Sequence, residues 1–417
     1  MLIRVGKGMK TMFTNFVSLV LLQGVNYILP LLTYPFLFRV LGVEKWGLVS
    51  FGYAVILYLS MITEFGFSLS ATKFISENRS NLEKINAYLN SAMICRLILC
   101  IVSFFILLVL ISFVHRFKDQ YLFYLLFFGV VIGNTMFPIW FFQGMENMKY
   151  ITIFNLAAKL LSFVPFFIFI KKPDDYIYVP VFYSIGYISA GIISLYSVYN
   201  TLRMKFFFTS KKHIWFCMKD SSTYFLSRVS VSLFTTSNLI FIGFAGGDVA
   251  AGYYSAAEKL YQAYNQMLTP FSGVLFPHIS KTKDVLFFKK VFSYITGINV
   301  GIVLVVLLLS SIIVQLIYAP DSDSSTIVFR ILASACFVTI PSMLLGYPFL
   351  AALGHPHYTN WTTSAVSLFH IIGIFILFVS GTITIYNVAI MVVFTEILNL
   401  LLRIYGVRKY RLLNPGK

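Results

Sequence analysis

The chain has 417 residues, 59% of them hydrophobic and only 11% charged, with a mean hydropathy of +0.83. A soluble domain of this length carries far more charge, so a cytosolic enzyme is excluded. The 32 Lys+Arg against 15 Asp+Glu give a net charge of +17, but the bases lie scattered between apolar runs and never form a block with stacking aromatics, which excludes a nucleic-acid binder.

A membrane-spanning helix takes about 20 apolar residues. The basic start MLIRVGKGMKTMFTN runs into an apolar stretch reaching about Phe38 with no small-residue cleavage site. That is too long for the core of a signal peptide and reads as the first membrane helix. From there the apolar runs between polar breaks predict twelve spans, at 12–38, 47–69, 86–112, 121–142, 150–170, 176–198, 221–244, 252–277, 291–318, 326–351, 359–380 and 385–405. The chain is therefore expected to be an all-α integral membrane protein. With the N-terminus inside, the cytoplasmic segments hold 21 bases and the opposite loops six, so the positive-inside rule places both termini in the cytoplasm. Cys95, Cys100, Cys217 and Cys336 lie in or beside apolar runs and form no CxxC pair. They read as buried small hydrophobes, with no disulfide framework and no metal site expected.

The midpoint is a basic loop at 199–220, and the segments on either side of it resemble each other. LGVEKWGLVS (41–50) and AGGDVAAGYYS (245–255) each have a glycine, an acid two or three residues on, and a further glycine opening the next span. Ser50 and Ser255 both stand three residues beyond that last glycine. Six spans per half keep the two halves in one orientation, related by a pseudo-two-fold along the membrane normal. The expected organisation is an N-lobe at 1–198 with helices one to six, a cytoplasmic linker at 199–220, and a C-lobe at 221–417 with helices seven to twelve and a basic tail.

Removing the bases of loops and tails leaves Arg96, Lys159, Arg228, Lys259 and Arg330 inside spans, together with Glu64, Glu258 and Glu396. A centrally placed charge costs on the order of 3 kcal/mol or more, so such groups face a bundle interior or a wet cavity. The structural alternative is that some snorkel from helix ends or pair with one another, Arg228 being the most open to that reading. Residues three and four apart share a helix face. Ser255, Glu258, Lys259, Gln262, Asn265, Gln266 and Thr269 accordingly form a polar stripe four turns long that cannot face lipid. Shorter stripes run through the first span with Asn26, the second with Glu64, the fifth with Lys159 and the seventh with Arg228. His370, in the eleventh span, reads as a hydrogen-bonded interior histidine. Five bases against three acids predict a cationic cavity whose ligand is an anion, and arginine and lysine together suit a phosphate or pyrophosphate head group. Catalytic patterns such as HExxH, DxD, GxSxG or a Walker loop are absent from the sequence, so no enzyme activity and no cofactor are expected.

The segment PIWFFQGMENMKYITIFNLAAK (138–159) resembles the W-F-x-Q-G-x-E-x-M pattern of Wzx-type O-antigen repeat-unit flippases, members of the MOP superfamily. NFVSLVLLQGVNYILPLLTYPFLFRVLGVEKWGLVSF (15–51) and EFGFSLSATKFIS (64–76) resemble the start of the same family. The resemblance implies two six-helix lobes of MATE/MOP-like fold, working by alternating access around a central cavity in the bacterial inner membrane. It implies transfer of an undecaprenyl-pyrophosphate-linked oligosaccharide from the cytoplasmic to the periplasmic leaflet, in company with membrane lipids, a glycan polymerase and chain-length partners. Gln143, Gly144 and Glu146 match the family's cytoplasmic loop, and the cationic lumen corresponds to Arg39, Arg96, Lys159, Arg228 and Lys259, with Arg330 beside them. Glu64, Glu258 and Glu396 are the candidates for coupling to a proton or sodium gradient, the membrane potential being the other source of drive. A multidrug or cation exporter of the same fold, which would want excess acid in its cavity, and a membrane glycan polymerase, which would want a large outer loop, are the rival readings.

Overall fold

The computed structural model describes residues 2–318 and 322–412, without the side chains at 2–28, 226–235 and 268–270. The described residues are helical apart from short connections, with no strand among them. Nine of the described helices are long and apolar enough to cross a bilayer. The chain is a multi-pass membrane protein.

Two helices are far longer than one crossing requires. Leu2–Glu64 has 63 residues and Lys211–Thr282 has 72, about 95 and 110 Å at 1.5 Å per residue, against a hydrocarbon core of about 30 Å. Each is broken at a single glycine, Gly42 at φ 75°, ψ 167° and Gly247 at φ 75°, ψ −167°. A side chain cannot adopt that backbone region without strain, so glycine is the residue that lets one helix end and the next begin with no loop between them. The two breaks fall in the gaps between the spans expected at 12–38 and 47–69 and at 221–244 and 252–277, and the chain passes from each helix to the next without a loop. The span expected at 121–142 differs, because Tyr121–Phe127, Gly129–Met136 and Ile139–Gly144 are separate helical pieces. Pro138 lies between the last two; it lacks the N–H that would continue the ladder.

Chain contacts divide the molecule into two compact units, Met1–Leu41 with Gly52–Val229, and Gly42–Phe51 with Ser230–Lys417. The basic segment 199–220 belongs to the first unit, and the ten residues Gly42–Phe51 belong to the second. In the first unit a buried apolar cluster joins Phe67, Ile75, Leu89, Trp140, Phe142 and Phe154. Small residues bring backbones together beside it: a Cβ at Gly133 or Gly186 would overlap the carbonyl of Tyr187 or Ala158. Close approach of this kind is how helices associate where lipid is as apolar as leucine. In the second unit Ile279, Phe288, Leu344, Phe349 and Leu350 form the corresponding core, with the rings of Phe288 and Phe349 stacked at 4.1 Å.

The segment Gly42–Phe51 packs within the second unit in a reciprocal way. A Cβ at Gly47 would overlap the Asp248 carbonyl, and a Cβ at Gly252 would overlap the Val43 carbonyl. Ser255 Oγ donates to Ser50 Oγ at 2.8 Å across an interval of 205 residues, the same interval that separates Gly42 from Gly247, Gly47 from Gly252 and Val43 from Asp248. The weak likeness between the two glycine-rich stretches in the sequence is thus a set of paired contacts. All four cysteines are buried and unbridged.

Candidate functional site

In the first unit the two stretches that carry the family pattern meet. Phe67–Glu77 starts where Glu64 accepts hydrogen bonds from the Ser68 N–H at 2.9 Å and the Gly66 N–H at 3.3 Å, a carboxylate at a helix N-terminus. One turn on, the Thr72 hydroxyl reaches the Gln143 side-chain oxygen at 3.3 Å. Arg79 closes the contact: its Nε donates to the Gly144 carbonyl at 2.6 Å and its Nη1 lies 2.7 Å from a Glu146 carboxylate oxygen. Gly144 is packed against Ile75, where a Cβ would come within 2.7 Å. Gln143, Gly144 and Glu146 therefore hold this loop onto the neighbouring helix, and Glu64 caps that helix.

The intramembrane bases fall into distinct settings. Arg96 is 5% exposed and donates from Nη1 to the Phe137 carbonyl at 3.1 Å and from Nη2 to the Asn134 carbonyl at 2.6 Å. Asn134 is four residues before Pro138, so its carbonyl lacks the usual helical donor; it accepts the Phe137 N–H at 3.2 Å, and Arg96 adds a second, shorter bond. Arg330 is exposed and reaches the hydroxyls of Ser310 and Ser311 at 2.7 and 2.8 Å. Arg39 is exposed, and Lys159 and Lys259 are half-buried. The side chains of Arg228 and Asn26 lie outside the described residues.

The second unit contains a cavity of about 230 Å³. Its wall is the polar stripe of Lys211–Thr282: Glu258, Gln262, Asn265 and Gln266, with Tyr254 and Tyr261. Asp323–Leu345 contributes Leu332 and Thr339, Ile385–Lys409 contributes Val392 and Glu396, and Asn238 closes it. Glu258 is 8% exposed and Glu396 7%. Burial is the larger influence on both carboxylates, and Lys259 and Arg403, which do not line the cavity, act on Glu258 and Glu396 more weakly. The buried Tyr254 hydroxyl has no hydrogen-bond partner. Asn238 is held by His370, whose Nε2 lies 2.8 Å from Asn238 Oδ1, while Nδ1 lies 2.7 Å from Thr395 Oγ1. His370 is thus a fully buried, hydrogen-bonded histidine. Among the described residues no group of three His, Cys, Asp or Glu side chains is placed to hold a metal ion.

Arg403 is the residue that hydropathy reading missed. Counted by sequence with the basic tail, it is instead 8% exposed inside Ile385–Lys409. It donates to the Ser342 carbonyl at 2.7 Å, where Asp323–Leu345 passes into the π-helical turn Gly346–Ala351, and to the Thr363 hydroxyl at 3.3 Å. Arg79, counted only as a loop base, is the other. No spacing in the sequence points to either, because a base inside a helix and one in a loop carry the same hydropathy.

Comparison with known proteins places the chain in a family of polysaccharide biosynthesis proteins. A family model described as "Polysaccharide biosynthesis protein" matches residues 12–283. A protein of Escherichia coli K12 provisionally named O-antigen transporter is 29% identical over 338 residues, covering 80% of this chain and 81% of its own. A Shigella dysenteriae protein of the same name is 29% identical over 341 residues, 80% and 86% of the two chains. Among solved structures, the lipid II flippase MurJ in an inward closed conformation superposes with a TM-score of 0.71 at 15% identity, covering 94% of this chain and 87% of its own. An inward-facing multidrug resistance MATE family transporter of the MOP superfamily gives 0.62 at 15% identity, with 95% and 96% covered. At that identity the two structures establish the fold these helices share.

Proposed function

Because the chain belongs to the family of polysaccharide biosynthesis proteins, we propose that it is a flippase for undecaprenyl-pyrophosphate-linked O-antigen repeat units. It moves them from the cytoplasmic to the periplasmic leaflet of the inner membrane by alternating access. The observation that carries this reading is the family match together with 29% identity to relatives named as O-antigen transporters over four-fifths of the chain. Intramembrane bases hold the pyrophosphate, Lys159 of the first unit foremost, while the polyprenyl tail stays in lipid. Lys159 is half-buried, where an ammonium keeps contact with water and with an incoming anion.

The membrane potential drives the cycle. An anion moving outward from a negative interior gains about 2.3 kcal/mol per charge per 100 mV, and the emptied cationic site gains the same on its return.

The test is a strain lacking this gene, with surface glycan profiled beside a count of lipid-linked units on the cytoplasmic face. The flippase reading expects loss of surface glycan with units trapped inside. Single units reaching the surface without chains would instead indicate a polymerase, and an unchanged profile would overturn the reading.

A further inference from the structure

We propose that the basic segment 203–219 is a recognition surface for the headgroups of anionic phospholipids in the bilayer that holds the chain. The proposal goes beyond the flippase reading and does not depend on which lipid-linked unit is carried.

The segment is fixed beside the start of a membrane crossing. In Leu82–Phe113 the apolar run 93–113 is about the 20 residues that one crossing takes, so the turns before it stand at the membrane surface. Those turns hold the segment by its backbone: Asn86 Oδ1 accepts from the Lys205 N–H at 3.1 Å, and Asn90 Nδ2 donates to the Lys205 carbonyl at 2.9 Å. Further along, the Thr209 hydroxyl lies 3.0 Å from that of Ser91. Pinned at both ends, the stretch presents Phe206, Phe207 and Phe208 outward, Phe208 being 83% exposed. The helix that follows repeats the arrangement. Ile214 and Cys217 pack inward, with the Cys95 thiol 3.6 Å from the Ile214 carbonyl, while Trp215 and Phe216 are exposed. Aromatic rings gathered in this way belong at a membrane interface, where one ring meets acyl chain and headgroup together.

Bases alternate with the rings. Lys211, Trp215 and Lys219 share one helix face at intervals of four, Lys212 and Phe216 share the next, and Arg203 and Lys205 precede Phe206. All five bases are exposed, and among the described residues none of them is in an ion pair. Asp220, the one acid in 199–220, is half-buried and accepts from the Tyr88 hydroxyl at 3.3 Å. Lysine stems lie along apolar surface while their ammoniums reach phosphate oxygens, and each base beside an anionic leaflet strengthens the attachment about fivefold. A zwitterionic leaflet has no net charge to offer them. The bases are strung along the segment instead of converging, which suits a field of headgroups better than a single pyrophosphate. An acidic soluble protein would answer the charges alone and leave the rings at the edge of the crossing without acyl chain to meet.

The test places the full chain in nanodiscs of equimolar phosphatidylcholine and phosphatidylglycerol, with the acyl chains of one lipid or the other brominated. Quenching of Trp215 is read as the fluorescence difference between the native chain and Trp215→Phe. The expected preference for phosphatidylglycerol beside Trp215 is about fivefold or more, the effect of a single base at an anionic surface. Replacing Lys211→Gln, Lys212→Gln and Lys219→Gln together should bring it close to parity, and high salt should do the same to the native chain by screening, an arm that needs no variant to fold. Lys281→Gln with Lys290→Gln, exposed bases of the second unit, should leave the preference unchanged. Equal quenching by the two lipids in the native chain, a preference that survives either the triple variant or high salt, or an equal loss in the second-unit variant would overturn the proposal. Trp215 unquenched by either lipid would overturn it too, since the surface would then be covered by something other than the bilayer.

Discussion

At the scale of single residues, buried arginines brace broken helices. Arg96 donates to the Asn134 carbonyl, which Pro138 leaves with only a 3.2 Å backbone bond from the Phe137 N–H. Arg96→Met should lower stability by about 2 kcal/mol, the loss of charge-assisted bonds being partly offset by relief from burying the charge. Pro138→Ala returns an N–H at that position, so in thermal unfolding the double variant should lose less than Arg96→Met alone. Strict additivity would show that Arg96 does something else. Arg79 offers a contrast near the surface, its side chain 38% exposed and that of Glu146 71%. Glu146→Gln should cost under about 1 kcal/mol, and Arg79→Ala more, because Arg79 also holds the Gly144 carbonyl. Equal melting shifts would place the whole contact in the ion pair. His370→Ala should lower the melting temperature, since it removes the buried bonds to Asn238 and Thr395; an unchanged melting temperature would show that the two bonds add nothing to stability.

At the scale of elements, the glycines of the two long helices matter most. Gly47 and Gly252 each face a backbone carbonyl across the same 205-residue interval that joins Ser50 to Ser255. Gly47→Ala and Gly252→Ala should therefore impair surface-glycan production to a similar degree, since a carbonyl cannot move aside as a flexible side chain can. A severe effect at one and none at the other would mean that the pairing is not functionally equivalent. This pairing was legible in sequence, because a repeated glycine register survives where apolar positions drift. The polar stripe was legible as well: Glu258, Gln262 and Gln266 share a face at helical spacing, and the structure puts that face on the wall of the second unit's cavity. The breaks at Gly42 and Gly247 lie where the sequence separates the spans, but the absence of a loop there was not legible. Polar residues around the two glycines look like loops to a hydropathy scale, which does not register that one glycine at positive φ can end one helix and start the next. Arg403 and Arg79 escaped for a related reason. Their partners are backbone carbonyls of Ser342 and Gly144, and a carbonyl leaves no signature in the sequence.

At the scale of the whole molecule, the proposed carriage of a lipid-linked anion makes the intramembrane bases its critical residues. Lys159→Gln, Arg228→Gln and Lys259→Gln should each abolish transport with membrane-inserted protein at normal levels, and full activity in all three would sink the cationic reading. The most direct measurement is flipping by the purified protein in proteoliposomes loaded with undecaprenyl-pyrophosphate-linked repeat units, read as the fraction a membrane-impermeant glycosidase can reach. The account predicts that the protein exposes units otherwise protected in the inner leaflet, faster when the interior is made negative. Protection unchanged by the protein at any imposed potential would contradict it.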